Sequence, residues 1–198
     1  MNLPEFYDQY THQLDDALGL LDQTALEAFA ATLYEAYQNE KQIFVLGNGG
    51  SAACASHWVC DFNKGVTTPR SKRAKLISLS DNTGIVTALG NDISYHDIFS
   101  YQLRNFAAPG DVVVVLSVSG NSANLAAAVE YAKSINCRTL AALGGFNGKI
   151  GGMVDTCLWI SSRNYGIVED IHLILNHLVS QYFRERNLAM EASYGRRV

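Results

Sequence analysis

At 198 residues, 48% hydrophobic and 17% charged, the chain has the length and composition of one globular domain with a substantial core. A formal net charge of −4 and a pI near 5.7, with basic residues dispersed apart from Arg70, Lys72, Arg73 and Lys75, argue against nucleic acid as the main partner. No apolar run is long enough to span a bilayer, no signal-peptide pattern opens the chain, and Cys54, Cys60, Cys137 and Cys157, without CxxC spacing, read as reduced, buried small hydrophobes; a cytoplasmic protein is expected, with no membrane partner.

Residues 3 to 38 repeat apolar side chains at helical spacing: Phe6, Tyr10, Leu14, Leu18 and Leu21, then Leu26, Phe29, Leu33 and Tyr37. The spacing predicts two helices, or one helix broken near Asp22-Gln23-Thr24, where Thr24 and Glu27 match a capping box. A leading amphipathic helix has no sheet of its own to cover. Residues 1–38 are therefore expected to pack against another subunit.

Gln42 to Leu46 is a short apolar strand, and Gly47-Asn48-Gly49-Gly50-Ser51 turns the chain sharply into an Ala-rich helix. A helix N-terminus reached through glycines presents unpaired N–H groups and the positive dipole end, which suits an oxyanion or a sugar hydroxyl. From the same helix His57 and Asp61, at i and i+4, project on one face, a metal ligand or acid beside a possible base. Taken singly, such a turn is often only tight packing and such a histidine, beside Trp58, only a core residue.

A polar loop over 67–73 leads to a second strand over 74–80, and Asp81-Asn82-Thr83 caps a short helix ended by Gly90-Asn91-Asp92. Another helix is expected over about 95–107, closed by Pro109-Gly110. Val112 to Leu116 reads as a strand buried on both faces, as in a parallel sheet covered by helices. It runs into Ser117, Ser119, Gly120, Asn121 and Ser122, then a helix over 123–134. Three hydroxyls converge on a helix N-terminus with no lysine in the loop. That fits a phosphomonoester held by neutral donors better than a triphosphate with magnesium, with one serine expected to serve only as a helix cap.

A strand over 138–143, a glycine-rich loop over 144–152, a strand over 156–161 and a last helix over about 166–184 complete the alternation; residues 187–198 read as a poorly ordered tail. Strands joined by helical crossovers predict an α/β fold, a right-handed, doubly wound parallel sheet flanked by helices on both faces. Ligands of such sheets collect beyond the carboxyl ends of the strands, where both loops lie. In the last helix Glu169, Asp170, His172 and His177 stand among apolar residues. Glu169 and His177 are only about 80° apart in projection, two turns along the axis. His172 points elsewhere and reads as a core or interface histidine with a backbone partner. His57, Asp61, Glu169 and His177 form a nitrogen and oxygen set of the kind zinc accepts.

Residues 47–61 (GNGGSAACASHWVCD), 89–92 (LGND), 117–124 (SVSGNSAN) and 169–177 (EDIHLILNH) together resemble the sugar isomerase (SIS) domain family, and within it the phosphoheptose isomerases. The resemblance runs to about residue 186 and implies a single SIS domain over 1–186, with a helical oligomerisation segment at 1–38 and an α/β core at 41–186. It implies aldose–ketose isomerisation of a phosphosugar, sedoheptulose 7-phosphate to D-glycero-D-manno-heptose 7-phosphate, through an enediolate. One zinc per subunit is implied, with His57, Asp61, Glu169 and His177 as ligands, Asp61 also as base and His177 also as acid. Asn48, Gly49, Ser51 and Asp92 would meet the sugar, and Ser117, Ser119, Asn121 and Ser122 the phosphate. A homotetramer is implied, and no nucleotide or redox cofactor. This chain departs from the family at three positions: Asp61 stands for Glu, Glu169 for Gln and Val118 for Thr. The fold also serves non-catalytic proteins, the DnaA initiator-associating type and phosphosugar sensors. Those relatives tend to lose the base and the C-terminal histidine, whereas an acid at 61 and His177 are both kept here.

Overall fold

The structure, a computed structural model, describes residues 2–195. Five strands, β1 (Ile43–Leu46), β2 (Leu76–Ser78), β3 (Val112–Ser117), β4 (Arg138–Gly144) and β5 (Thr156–Ile160), form one parallel sheet in the order β2-β1-β3-β4-β5. Uninterrupted apolar runs build the centre because both faces are covered: Val112 to Leu116 are all essentially inaccessible. Along β3, Val112, Val114 and Leu116 join one core, while Val113 and Val115 join the other. The period-two alternation of the strand thus serves two helix layers at once.

One layer holds α1 (Leu3–Gly19), α2 (Gln23–Gln38), α3 (Gly50–Cys60) and α7 (Tyr165–Gly195); the other holds α4 (Thr83–Asp92), α5 (Ser100–Phe106) and α6 (Ala123–Ser134). The leading segment is two helices. Asp22, not Thr24, caps the second, its carboxylate accepting from the N–H groups of Thr24 (2.8 Å) and Ala25 (3.2 Å). Part of α1 packs on α7 through the Tyr10 hydroxyl, which donates to Asp170 at 2.6 Å; Leu3, Phe6 and Tyr7 remain exposed.

Three expected elements differ. The helix expected over 95–107 divides into a short 3-10 turn at Tyr95–Asp97, whose start the Ser94 hydroxyl caps at the N–H of His96, and α5. Residues Gly90 to Asp92 form the last turn of α4 rather than stopping it. Most extended is α7, which continues to Gly195 where a disordered tail was expected; residues 196–198 lie outside the described residues. Polar anchors hold that extension. The buried Asn187 amide donates to the Tyr37 hydroxyl and the Val66 carbonyl, both at 3.0 Å, and Glu191 accepts from the Thr68 hydroxyl and the Arg70 N–H. Contacts of that kind leave no apolar period in the sequence. All four cysteines are free, but Cys60 is exposed, on the outer face of α3.

At its C-terminus α3 widens into a π-helical turn, Asp61–Gly65. The turn is pinned from both sides. Asn63 exchanges two 2.9 Å bonds with the backbone of Leu76 in β2, and Arg184 of α7 donates to the carbonyls of Gly65 and Thr67. Isolated π turns inside α-helices recur at functional sites, and this one begins on Asp61.

Candidate active site

The strand order reverses between β1 and β3, and the crevice beyond their carboxyl ends is where a doubly wound sheet takes its ligand. Both predicted loops meet there. A cleft of about 250 Å³ is lined by Asn48, Gly49, Gly50 and Ser51 after β1, by Ser117, Val118, Ser119 and Ser122 after β3, and by Tyr165 and Glu169 of α7.

The serine loop is preformed by its own bonds. The Ser117 hydroxyl accepts from the N–H of Gly120 (3.0 Å), and the Ser119 hydroxyl from that of Asn121 (3.3 Å). Gly120 is left-handed (φ 64°), and the Asn121 side chain ties the loop to the N–H of Lys149. Ser122 occupies the N-cap of α6 but makes no side-chain cap bond. The expectation that one serine merely caps the helix is therefore overturned. The Ser122 hydroxyl lines the cleft at the helix start, where the dipole favours an anion.

The glycine loop is fixed by close approach. A Cβ on Gly47 would meet the backbone oxygens of Ser51 at 2.7 Å and Leu116 at 2.9 Å, and Gly49 takes φ 57° as it caps α3. The two loops are joined by a head-to-tail amide pair: Asn48 Nδ2 donates to Asn124 Oδ1 and Asn124 Nδ2 to Asn48 Oδ1, each at 3.0 Å. Tyr95 adds its hydroxyl to Asn48 Oδ1 at 3.1 Å.

A second cavity, about 430 Å³, adjoins α3 and α7 and is lined by His57, Asp61, Lys64, His177, Ser180 and Arg184 among others. Trp58 and Phe62, on the other face of the same segment, are buried in the core. Their rings stack at 5.6 Å and 7°, and the Trp58 indole donates to the backbone carbonyl of His172. With that face of α3 locked in the core, His57 and Asp61 turn outward toward α7. His57 Nε2 and His177 Nε2 lie 3.0 Å apart, and each is 3.3 Å from Asp61 Oδ2. Asn176, fully buried, donates to the same Oδ2 at 2.6 Å.

Two imidazole nitrogens and one carboxylate oxygen, all within 4.8 Å of one another, are a donor set that could hold a metal ion. Glu169 is not in that group. Two turns up α7, a rise of about 12 Å from His177, it lines the serine-loop cleft, its carboxylate where a Cβ on Gly50 would stand. The four-residue set expected from the sequence is thus divided: three converge, and the fourth faces the neighbouring cleft. Asp92 does not line either cavity; it is exposed at the end of α4, where its carboxylate accepts from Asn91.

His172 is a core residue, as expected. Its Nε2 donates to the Ala142 carbonyl at 3.0 Å, its Nδ1 has no partner, and burial pushes its pKa down to about 4. Burial, with smaller contributions from the Glu169 and Asp170 charges, pushes the Cys54 thiol up to about 11. It stays protonated on the inner side of α3. Sequence reasoning passed over Asn124 and Asn176. Each left the same signal, an amide side chain on a helix face otherwise filled by Ala, Leu, Ile and Val.

The sequence profile of the SIS domain family matches residues 5–144. A phosphoheptose isomerase of Citrifermentans bemidjiense is 37% identical over 155 residues, 78% of this chain and 80% of that one. One from Trichlorobacter lovleyi is 34% identical over 192 residues, 93% and 96%. The chain belongs to the SIS domain family. Within that family it groups with the phosphoheptose isomerases, and it is an isomerase of the phosphosugar type. A solved phosphoheptose isomerase from Neisseria gonorrhoeae superposes with a TM-score of 0.83 at 28% identity, covering 92% of this chain and 97% of that one. The fold shared with it in this chain is the five-stranded parallel sheet described above, and no helix among the described residues of this chain is long and apolar enough to cross a membrane.

Proposed function

We propose that the chain interconverts sedoheptulose 7-phosphate and D-glycero-D-manno-heptose 7-phosphate by an enediolate route, as a zinc-dependent homotetramer. The observation that carries this reading is the juxtaposition, across α3 and α7, of a lysine-free serine loop and a His57–Asp61–His177 cluster. In this reading Ser117, Ser119, Ser122 and the N-terminus of α6 hold the phosphate, with Asn121 shaping the loop. Asn48, Gly49 and Ser51 meet sugar hydroxyls, and Asp92 is a further sugar-contacting or site-ordering residue in this reading.

His57, Asp61 and His177 would hold zinc, which when bound supplies Lewis acidity toward the carbonyl oxygen. Proton transfer then moves a C1 proton of the ketose to a carboxylate, leaving an enediolate, and returns it to C2. His177 gives a proton to the oxygen at C2 and takes back the one that the C1 hydroxyl releases. Asp61 is the base in this reading, and Glu169 lines the neighbouring serine-loop cleft. Exposed Leu3, Phe6 and Tyr7 on α1 support assembly into a larger oligomer.

The test is turnover of sedoheptulose 7-phosphate by purified protein with and without added zinc, beside Asp61→Asn and His177→Ala. Metal-dependent conversion lost in both variants is expected. Saturable phosphosugar binding with no conversion would make the chain a sensor instead, and gel filtration showing only monomer would remove the tetramer.

A further inference from the structure

We infer that Asn176 is a positioning residue for the metal centre: its buried amide fixes the Asp61 carboxylate against the two imidazoles. The inference rests on the reading of His57, Asp61 and His177 as a metal site, and it goes beyond it by assigning a residue that makes no hydrogen bond to either imidazole.

The geometry is specific. Asn176 is fully inaccessible, on the side of α7 that carries Leu175 and Val179, and its Nδ2 donates to Asp61 Oδ2 at 2.6 Å. A carboxylate can only accept, so the amide is forced to present its N–H₂ to Asp61. That orientation leaves Asn176 Oδ1 buried with no partner, one of three such side-chain atoms among the described residues. A buried carbonyl without a donor is a net cost to folding, and a leucine of similar volume would fill the position without it. Local packing therefore does not explain Asn176.

What the amide does explain is how a short side chain is held on its mark. Asp61 opens a π turn, where the backbone is wider than in an α-helix, and its side chain is about a quarter exposed. Without a fixed donor the carboxylate would rotate toward water. With it, one oxygen is held 3.3 Å from both His57 Nε2 and His177 Nε2. Outer partners of this kind set the orientation of metal-ligating carboxylates, and their removal typically costs about 10–100-fold in metal affinity.

The two roles make different predictions, which is what makes the test decisive. For Asn176→Leu, zinc affinity measured by competition with a chromophoric chelator is expected to fall roughly 10–100-fold. The metal-free protein is expected to melt within about 2 °C of the wild type, since removing the orphaned carbonyl offsets the lost bond to Asp61. In an Asp61→Ala background the same substitution is expected to leave zinc affinity within about threefold, since the group being positioned is absent. A melting temperature lowered by more than that, together with lost affinity, would make Asn176 a structural residue and overturn the inference. So would wild-type zinc affinity in Asn176→Leu. A wild type that binds no zinc at all would instead remove the metal site itself, a different outcome from one in which the wild type holds zinc and Asn176→Leu matches it.

Discussion

Asn48 and Asn124 face each other amide to amide across the carboxyl edge of the sheet, with two 3.0 Å bonds running in opposite directions. Asn48 sits in the loop after β1 and Asn124 in the first turn of α6, so this pair sets the width of the cleft between the glycine and serine loops. Asn124 is buried, and its Oδ1 also accepts from the N–H of Leu125 at 2.9 Å. Replacing it with leucine leaves both amide atoms of Asn48 without that partner. We expect Asn124→Leu to lose about 1–3 kcal/mol of stability and to raise the KM for phosphosugar, read from urea unfolding and steady-state rates. Unchanged KM in a folded variant would mean that the cleft does not depend on the bridge.

Two helix N-caps separate a structural side chain from a ligand-facing one. Asp22 accepts from two N–H groups of α2, and Asp22→Ala is expected to cost about 1 kcal/mol. Ser122 holds the same position on α6 with no cap bond, so Ser122→Ala should cost less than about 0.5 kcal/mol. A hydrogen bond to a charged group is worth about 1.5–3 kcal/mol, so the same variant should bind phosphosugar roughly tenfold or more weakly. Calorimetric melting and ligand titration measure both. A large melting loss with intact binding would return Ser122 to a capping role.

The fold was legible because its strands carry their own signal. Val112 to Leu116 is apolar on every residue, and only a strand covered on both faces uses such a run. His57 and Asp61 were legible for a similar reason: four residues on one helix fix their relation whatever the tertiary structure. Glu169 and His177 were not, since angular projection ignores the two turns of rise between them, and that rise places Glu169 in the other cavity. Asn176 and Asn187 show the same limit in another form. A polar side chain inside an apolar run announces that it has a partner, but the partners, Asp61 in one case and Tyr37 with Val66 in the other, lie more than a hundred residues away.

Acid should weaken the fold through His172. Its folded pKa of about 4 lies below the ordinary value of 6.5, so above pH 6.5 both states are neutral and nothing is lost. As pH falls from 6.5 to about 4 the unfolded chain takes up a proton that the native state refuses, and stability drops by about 3 kcal/mol in all. His172→Gln keeps an amide donor within reach of the Ala142 carbonyl but cannot titrate. Urea midpoints at pH 7, 5.5 and 4.5 should therefore fall less steeply in that variant than in the wild type. Parallel slopes would show that other groups govern the acid limb.

The placement of Glu169 is tested by three substitutions whose effects differ in kind. Gly47→Ala pushes a methyl group against the backbone oxygens of Ser51 and Leu116, atoms that cannot move without shifting β3 or α3, and should cost about 1–3 kcal/mol. Gly50→Ala meets only the carboxylate of Glu169, the free end of a flexible side chain, which can swing aside. We expect near wild-type stability for Gly50→Ala, with phosphosugar turnover reduced because Glu169 has been displaced from the cleft. Glu169→Gln then asks which cavity the side chain serves. As the acid lies outside the His57–Asp61–His177 group, the variant should keep zinc affinity within about threefold while altering turnover. A tenfold weaker zinc affinity in Glu169→Gln would bring the carboxylate back to the metal and require α7 to present Glu169 and His177 to one ion.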